Sequence, residues 1–291
     1  MSESEERVGV VVLTHDRPWE LARTLERMLA LPERPPVVVV DNGATTDGEL
    51  GARFPGIEVL RLPRNLGAAG RNAGAAMLTT PYVAFCDDDS WWAPGALCRA
   101  ADLLDGDPRL GLVTGKVLVG SDERIDPTCT EMARSPLPAA PDLPGRAVLG
   151  FLCAATVVRR RMFLRVGGFE SRFFLGGEEA LLAIDVAAAG YALAYVDEIV
   201  VHHHPSTRRE NRLRHRLLLR NALWCAWLRR PAATALRLTV AMARAHRGDP
   251  ELTPALASAL AGAPWIVRRR RVVPPEIERG LRTLEVQRER R

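Results

Sequence analysis

Val8-Gly9-Val10-Val11-Val12-Leu13-Thr14-His15-Asp16-Arg17-Pro18 is the stretch whose reading decides the fold. A short apolar run stops at a polar cluster, and Pro18 then stands where a first helical turn tolerates it. Leu21, Leu25, Met28 and Leu29 follow at helical spacing, so the stretch predicts a buried strand and then a helix. The pattern repeats downstream. Val37–Val40 is a second β-branched strand ending in the turn Asp41-Asn42-Gly43, and Ile57–Leu60 is a third. Gly67–Leu78 is an Ala-rich helix and Tyr82–Cys86 a fourth strand. Short apolar strands alternating with helices predict an α/β, mostly parallel sheet with helices on both faces, whose ligands sit at the carboxyl ends of the strands.

Three polar clusters fall at those ends: Thr14-His15-Asp16-Arg17, Asp41-Asn42-Gly43 and Asp87-Asp88-Asp89. Three adjacent carboxylates after an apolar strand repel one another and resist desolvation, so a compensating cation is expected. Hard oxygen ligands suit Mg2+ or Mn2+. On an extended segment Asp87 and Asp89 share a face while Asp88 points elsewhere. The alternative is a solvated turn in which Asp88 or Asp89 caps a helix beginning near Pro94. Taken alone, the triplet leaves both readings open.

Beyond the fourth strand, Gly115–Gly145 is rich in Pro and polar residues and reads as a long irregular connection, a candidate acceptor loop. Val148–Val158 reads as a strand, Arg159–Val166 and Glu178–Ala189 as helices, and Ala192–Val196 with Ile199–His202 as a returning β segment. After Pro205 the pattern is helical throughout, which divides the chain into a catalytic unit, 1–205, and an extension, 206–291.

The 291 residues are 47% hydrophobic, enough to bury a real core. Five scattered cysteines form no CxxC pair, so neither a disulfide framework nor a zinc site is expected. Met1–Arg7 is polar and acidic, and no apolar stretch reaches membrane-spanning length, so a cytoplasmic protein is expected. Charge is unevenly spread: net −8 over 1–205 and net +13 over 206–291. The basic extension also carries Leu213, Leu217, Leu218, Leu223, Trp224 and Trp227. It suits either packing against the first unit or peripheral contact with the inner face of the plasma membrane. No nucleic-acid reading motif accompanies it.

Four ordered motifs carry a more specific reading. Val10–Pro18, Val40–Gly48, Asn65-Leu66-Gly67 with Gly70-Arg71-Asn72-Ala73-Gly74, and Phe85-Cys86-Asp87-Asp88-Asp89 together resemble glycosyltransferase family 2. Gly167-Gly168-Phe169, Phe173-Phe174 and Gly177-Glu178-Glu179 extend the resemblance over roughly residues 8 to 204. It implies a GT-A fold, Rossmann-like, with the helical extension appended, and an inverting enzyme that uses a nucleotide-diphosphate sugar donor, UDP- or dTDP-linked, and a hydroxyl acceptor. It implies that Thr14, Asp16 and Arg17 line the nucleotide pocket, that Asp41 recognises the base, and that Arg71 and Asn72 lie beside the nucleotide sugar. Asp87 would meet the ribose or metal, Asp88 would contribute to binding the nucleotide sugar, and Asp89 would bind Mg2+ or Mn2+ directly.

The family's catalytic base falls at Glu178-Glu179, in an acidic pair whose second member is usually Asp; Glu179 is the first choice here and Glu178 the second. Without the family, two acids opening a helix would simply favour its dipole. His202-His203-His204 stands where some relatives supply a histidine to the metal, and strand alternation puts His202 and His204 on one face. No Gln-x-x-Arg-Trp segment or membrane channel helices are found, which favours single-sugar transfer over polymerisation. Two rivals are a sugar-phosphate nucleotidyltransferase, for which the first strand lacks a Gly-rich triphosphate loop, and a non-catalytic nucleotide-sugar or membrane-binding module.

Overall fold

Val10, Val11 and Val12 have no exposed surface, as their unbroken apolar run requires of a strand covered on both faces. They belong to β1 (Val8–Thr14) of a computed structural model that describes residues 7–43, 50–138, 140–205 and 211–289. The first units alternate as expected: α1 (Pro18–Leu29), β2 (Val37–Asp41), the short α2 (Leu50–Arg53), β3 (Ile57–Arg61), α3 (Gly70–Met77) and β4 (Tyr82–Asp87). β1 pairs in parallel with β2 and β4, and β2 with β3. The three polar clusters therefore emerge side by side at one edge.

β5 (Ser90–Trp92) follows the acidic triplet at once, then α4 (Ala96–Gly106) and β6 (Leu110–Val119). The expected irregular connection over 115–145 is instead structured at its start and in its middle. Its start continues β6, and β7 (Arg124–Ile125), α5 (Pro127–Ala133) and, just beyond its end, β8 (Arg146–Ala147) follow. Pro127 sits at the first helical position, and the Asp126 carboxylate accepts from Thr128 N at 2.8 Å, a cap that the Pro-rich composition obscured. The strand expected over 148–158 shrinks to β9 (Thr156–Arg159), preceded by a 3-10 turn at Cys153–Ala155. α6 (Arg160–Val166), α7 (Glu178–Ala188) and β10 (Ala192–His203) complete this part. Among the described residues the sheet runs β3-β2-β1-β4-β9-β6-β10-β5, with β9 antiparallel to both β4 and β6 and with β10 parallel to β6.

Among the described residues five further helices follow: α8 (Asn211–Arg229), α9 (Ala232–Ala245), α10 (Leu252–Ala261), α11 (Ala263–Arg269) and α12 (Pro275–Glu289). Trp224 and Leu228 of α8 join Phe173, Leu181 and Ile266 in a second, smaller core. Each such buried side chain contributes about 1.5–3 kcal/mol. Arg229 pairs with Asp185 of α7, and Asn221 Nδ2 donates to Phe173 O at 2.9 Å and Leu175 O at 3.2 Å. The tryptophan side chain at 224 thus packs inward, its Nε1 donating to Ala259 O at 3.0 Å. No helix among the described residues is long and apolar enough to cross a membrane.

Candidate active site

α3 is held against the strands because Gly74 lets it come close: a Cβ there would lie 2.7 Å from Val11 Cγ1 and 2.8 Å from Val40 Cγ2. That approach delivers Arg71, one turn earlier, to the ends of β1 and β4. Its buried guanidinium forms an ion pair with Asp87 and lies over the Phe169 ring. The turn after β2 is fixed from a distance. Asn42 Oδ1 accepts from Leu66 N at 2.8 Å, while its Nδ2 donates to Asn65 Oδ1 and Gly67 O, each at 2.9 Å. Gly67, at φ +60°, has no room for a Cβ, which would stand 1.9 Å from Phe174 O.

These segments wall a cavity of about 530 Å3 lined by Thr14, Arg17, Asn42, Arg71 and the whole triplet Asp87-Asp88-Asp89. The size suits a nucleotide-scale ligand. Asp88 is nearly buried. It accepts from Thr14 Oγ1 at 3.0 Å and from Arg17 Nη1 at 3.2 Å, and its backbone carbonyl accepts from Thr24 Oγ1 at 2.8 Å. Burial drives its carboxyl up to about 7, against the pull of Arg17 and with a push from Asp89 and Asp87. Asp89 also reaches Arg17 Nη1, at 3.4 Å. Neither acid caps a helix: α4 has Gly95 at its cap, and Gly95 N donates to Glu33 Oε1. The solvated-turn alternative therefore fails.

The histidines alternate as the strand requires, but the face is the reverse of that expected. His203 Nε2 lies 3.3 Å from Asp89 Oδ1. His202 stacks on Trp91 and meets Glu123 Oε1 at 3.2 Å, and His204 packs on the same indole. The reason is register: β10 pairs antiparallel with β5, His202 opposite Trp91 and His203 opposite Ser90, which turns the middle side chain toward the triplet. The His203 imidazole faces the Asp89 carboxylate, whereas the expected His202 and His204 turn their rings to Trp91.

Glu178 and Glu179 open α7. Glu178 is buried near Arg71, and its Oε2 has no hydrogen-bond partner among the described residues. Glu179 Oε1 accepts from Cys153 N at 2.7 Å. Burial, then the neighbouring Glu178, pushes the Glu179 carboxyl up to about 7, against the pull of the Cys153 N–H and Arg71. Glu179 lines a second cavity, of about 370 Å3, walled by Phe151, Ile184, Ala222, Ala226, Leu238 and Leu281.

Three expected pocket residues are not among those lining this cavity. Asn72 clamps Phe169, donating to its carbonyl at 2.8 Å and accepting from its N–H at 2.9 Å. Asp41 is 1% exposed and its neighbour Asn42 lines the cavity instead. Asp16, at φ +54°, points its exposed carboxylate toward His15 Nε2, 3.6 Å away, and is not on the cavity wall. Other lining residues went unassigned in the sequence: His15, Asn65, Phe174, Leu213 and Arg214. The Asn65-Leu66-Gly67 and Phe173-Phe174 motifs signalled two of them; nothing local signalled Arg214.

Residues 9–167, more than half of the chain, match the model of the family described as Glycosyl transferase family 2. The chain is 27% identical over 231 residues, 67% of its length and 75% of the relative's, to N-acetylglucosaminyl-diphospho-decaprenol L-rhamnosyltransferase of Mycobacterium tuberculosis. Its fold is similar to that of mannosyltransferase PcManGT from Pyrobaculum calidifontis in complex with GDP-Man and Mn2+ (TM-score 0.59, 19% identity, 97% of this chain and 86% of that one). It is also similar to GalNAc-T7 with UDP, GalNAc and Mn2+ (TM-score 0.57, 15% identity, 76% of this chain), of which the match spans only 47%. The architecture is thus an α/β GT-A fold with a C-terminal helical extension.

Proposed function

The chain belongs to glycosyl transferase family 2, and on that premise we propose that it is an inverting, divalent-cation-dependent enzyme moving one sugar from a nucleotide-diphosphate sugar to a hydroxyl acceptor. One observation carries the reading: the acidic triplet lines one cavity while Glu179 lines another, and Arg71 and Glu178 are close enough to both Asp87 and Glu179 to interact with them. Donor and acceptor can then approach the same few carboxylates from two sides.

Each acid of the donor cavity has a cationic neighbour, Arg71 on Asp87 and Arg17 shared by Asp88 and Asp89, which leaves two guanidiniums for three carboxylates. A nucleoside diphosphate entering there brings negative charge that a cation arriving with it would offset. Asp89 with His203 forms a carboxylate and imidazole donor set that fits Mn2+ and, less well, Mg2+. Bound there, the ion supplies positive charge facing the leaving diphosphate. Thr14 and Arg17 orient Asp88, and Asn42 and Asn65 shape the pocket floor. We assign Glu179 as general base: its raised carboxyl suits proton transfer near neutrality, and its Cys153 N–H contact fixes one oxygen. The acceptor oxygen bonds to the anomeric carbon from the face opposite the diphosphate, its proton passes to Glu179, and the departing electron pair stays on the diphosphate. The anomeric configuration inverts.

The second cavity's apolar walls suit an acceptor with a lipid-linked or glycoside body, and the name of the mycobacterial relative supports a cell-envelope glycan. UDP- and dTDP-sugars are the favoured donors. The test is a screen of UDP-, dTDP- and GDP-sugars for release of nucleoside diphosphate with and without Mn2+. Mn2+-dependent release from one donor class supports the assignment; binding of nucleotides without turnover of any would refute it.

A further inference from the structure

Three side chains outside both cavities converge on one point. His215 lies in the second turn of α8, His246 at the carboxyl end of α9, and Asp249 in the turn before α10. His215 Nε2 stands 2.6 Å from Asp249 Oδ2, and His246 Nδ1 stands 3.6 Å from the same oxygen. The three ligand atoms lie within 4.8 Å of one another. Asp249 is held for this geometry, because its other oxygen, Oδ1, accepts from Glu251 N at 2.8 Å. A His–Asp hydrogen bond explains one edge of the triangle. It leaves the second imidazole aimed at the same carboxylate oxygen from beyond hydrogen-bond length.

We propose that His215, His246 and Asp249 form a zinc site that ties the start of α8 to the α9–α10 turn. Two imidazoles and a carboxylate are a donor set that Zn2+ takes readily, with solvent completing the shell through the partly exposed side chains. Tetrahedral bonds of ~2.0–2.1 Å separate ligand atoms by ~3.3 Å, so the His246–Asp249 edge already fits, the His215–Asp249 edge must open by under ~1 Å, and the edge between the two imidazoles starts within 4.8 Å. Neighbouring Arg212 and Arg216 are paired with Glu251, which limits their repulsion of an ion. The site also has a place in the fold: Leu213 and Arg214, adjacent to His215 along α8, line the donor cavity. Zinc would therefore hold that wall in position, and the site stands or falls independently of the glycosyl-transfer assignment.

The test uses the full chain carrying Asp89→Asn, so that the donor cavity does not contribute, stripped with chelator and titrated with Zn2+ against a chromophoric competitor. About one equivalent should bind. Adding His246→Gln or Asp249→Asn should weaken that binding at least about tenfold and abolish the zinc-dependent rise in Tm, with the far-UV circular dichroism spectrum unchanged. Two different variants guard against one that fails to fold. Absence of the equivalent in Asp89→Asn, or undiminished binding in both added variants, would overturn the site.

Discussion

His203 Nε2 faces Asp89 Oδ1 at 3.3 Å, and the N–H of His204 donates to Asp89 O at 2.8 Å, so the end of β10 and the residue after it grip the last acid of the triplet by side chain and backbone together. On the proposed function, His203→Ala should raise the Mn2+ concentration for half-maximal turnover about 10–100-fold. His202→Ala, whose ring stacks on Trp91, should leave it nearly unchanged. A Mn2+ titration of initial rates distinguishes the two; an equal effect of both variants would remove His203 from the metal.

Gly67 approaches Phe174 so closely that Gly67→Ala must displace the Phe173-Phe174 segment or the turn after β3. The strained, positive-φ backbone costs on the order of 1–3 kcal/mol. Denaturant unfolding should register the loss, and nucleotide affinity should fall with it because Gly67 and Phe174 share the donor cavity's wall.

Arg71→Met deprives Asp87 of its buried ion-pair partner. Asp87 keeps some solvent, so the expected loss of stability is about 1–3 kcal/mol, below that of a fully buried pair. The KM for the donor should rise. An unchanged unfolding midpoint together with an unchanged KM would show that the pair contributes to neither.

Ala222 of α8 lines the second cavity but is itself exposed, so Ala222→Trp can fill the space at little cost to the core. The KM for the acceptor should rise at least about tenfold, the equivalent of 1.4 kcal/mol, while donor hydrolysis is retained. Loss of both activities would place the cavity outside the acceptor path.

Much of the donor side was legible because strand ends announce themselves: β1, β2 and β4 each stop in polar residues that the parallel sheet must bring to one edge. Side-chain direction was less legible. Alternation along His202-His203-His204 was correct, but only the register against β5 decides which face meets Asp89, and β5 itself is three residues long. The family resemblance placed Asn72 beside the nucleotide sugar together with Arg71, whereas one residue along α3 turns it toward Phe169. α5 was hidden by its Pro-rich surroundings. The second cavity had no sequence signature, since its walls come from α5, α7, α8, α9 and α12, brought together only by packing.

The measurement that bears most directly on the account is the pH profile of sugar transfer, wild type against Glu179→Gln, with a turned-over donor and saturating Mn2+. The Glu179 carboxyl is raised to about 7, and a base must be deprotonated to act, so wild-type turnover should climb as pH rises through about 7 and fall away on the acid side. Glu179→Gln should lose about 10²–10⁴-fold in kcat, lack that limb and still bind nucleotide. Wild-type-like kcat in Glu179→Gln, with the acid limb intact, would contradict the assignment of Glu179 and with it the placement of the acceptor.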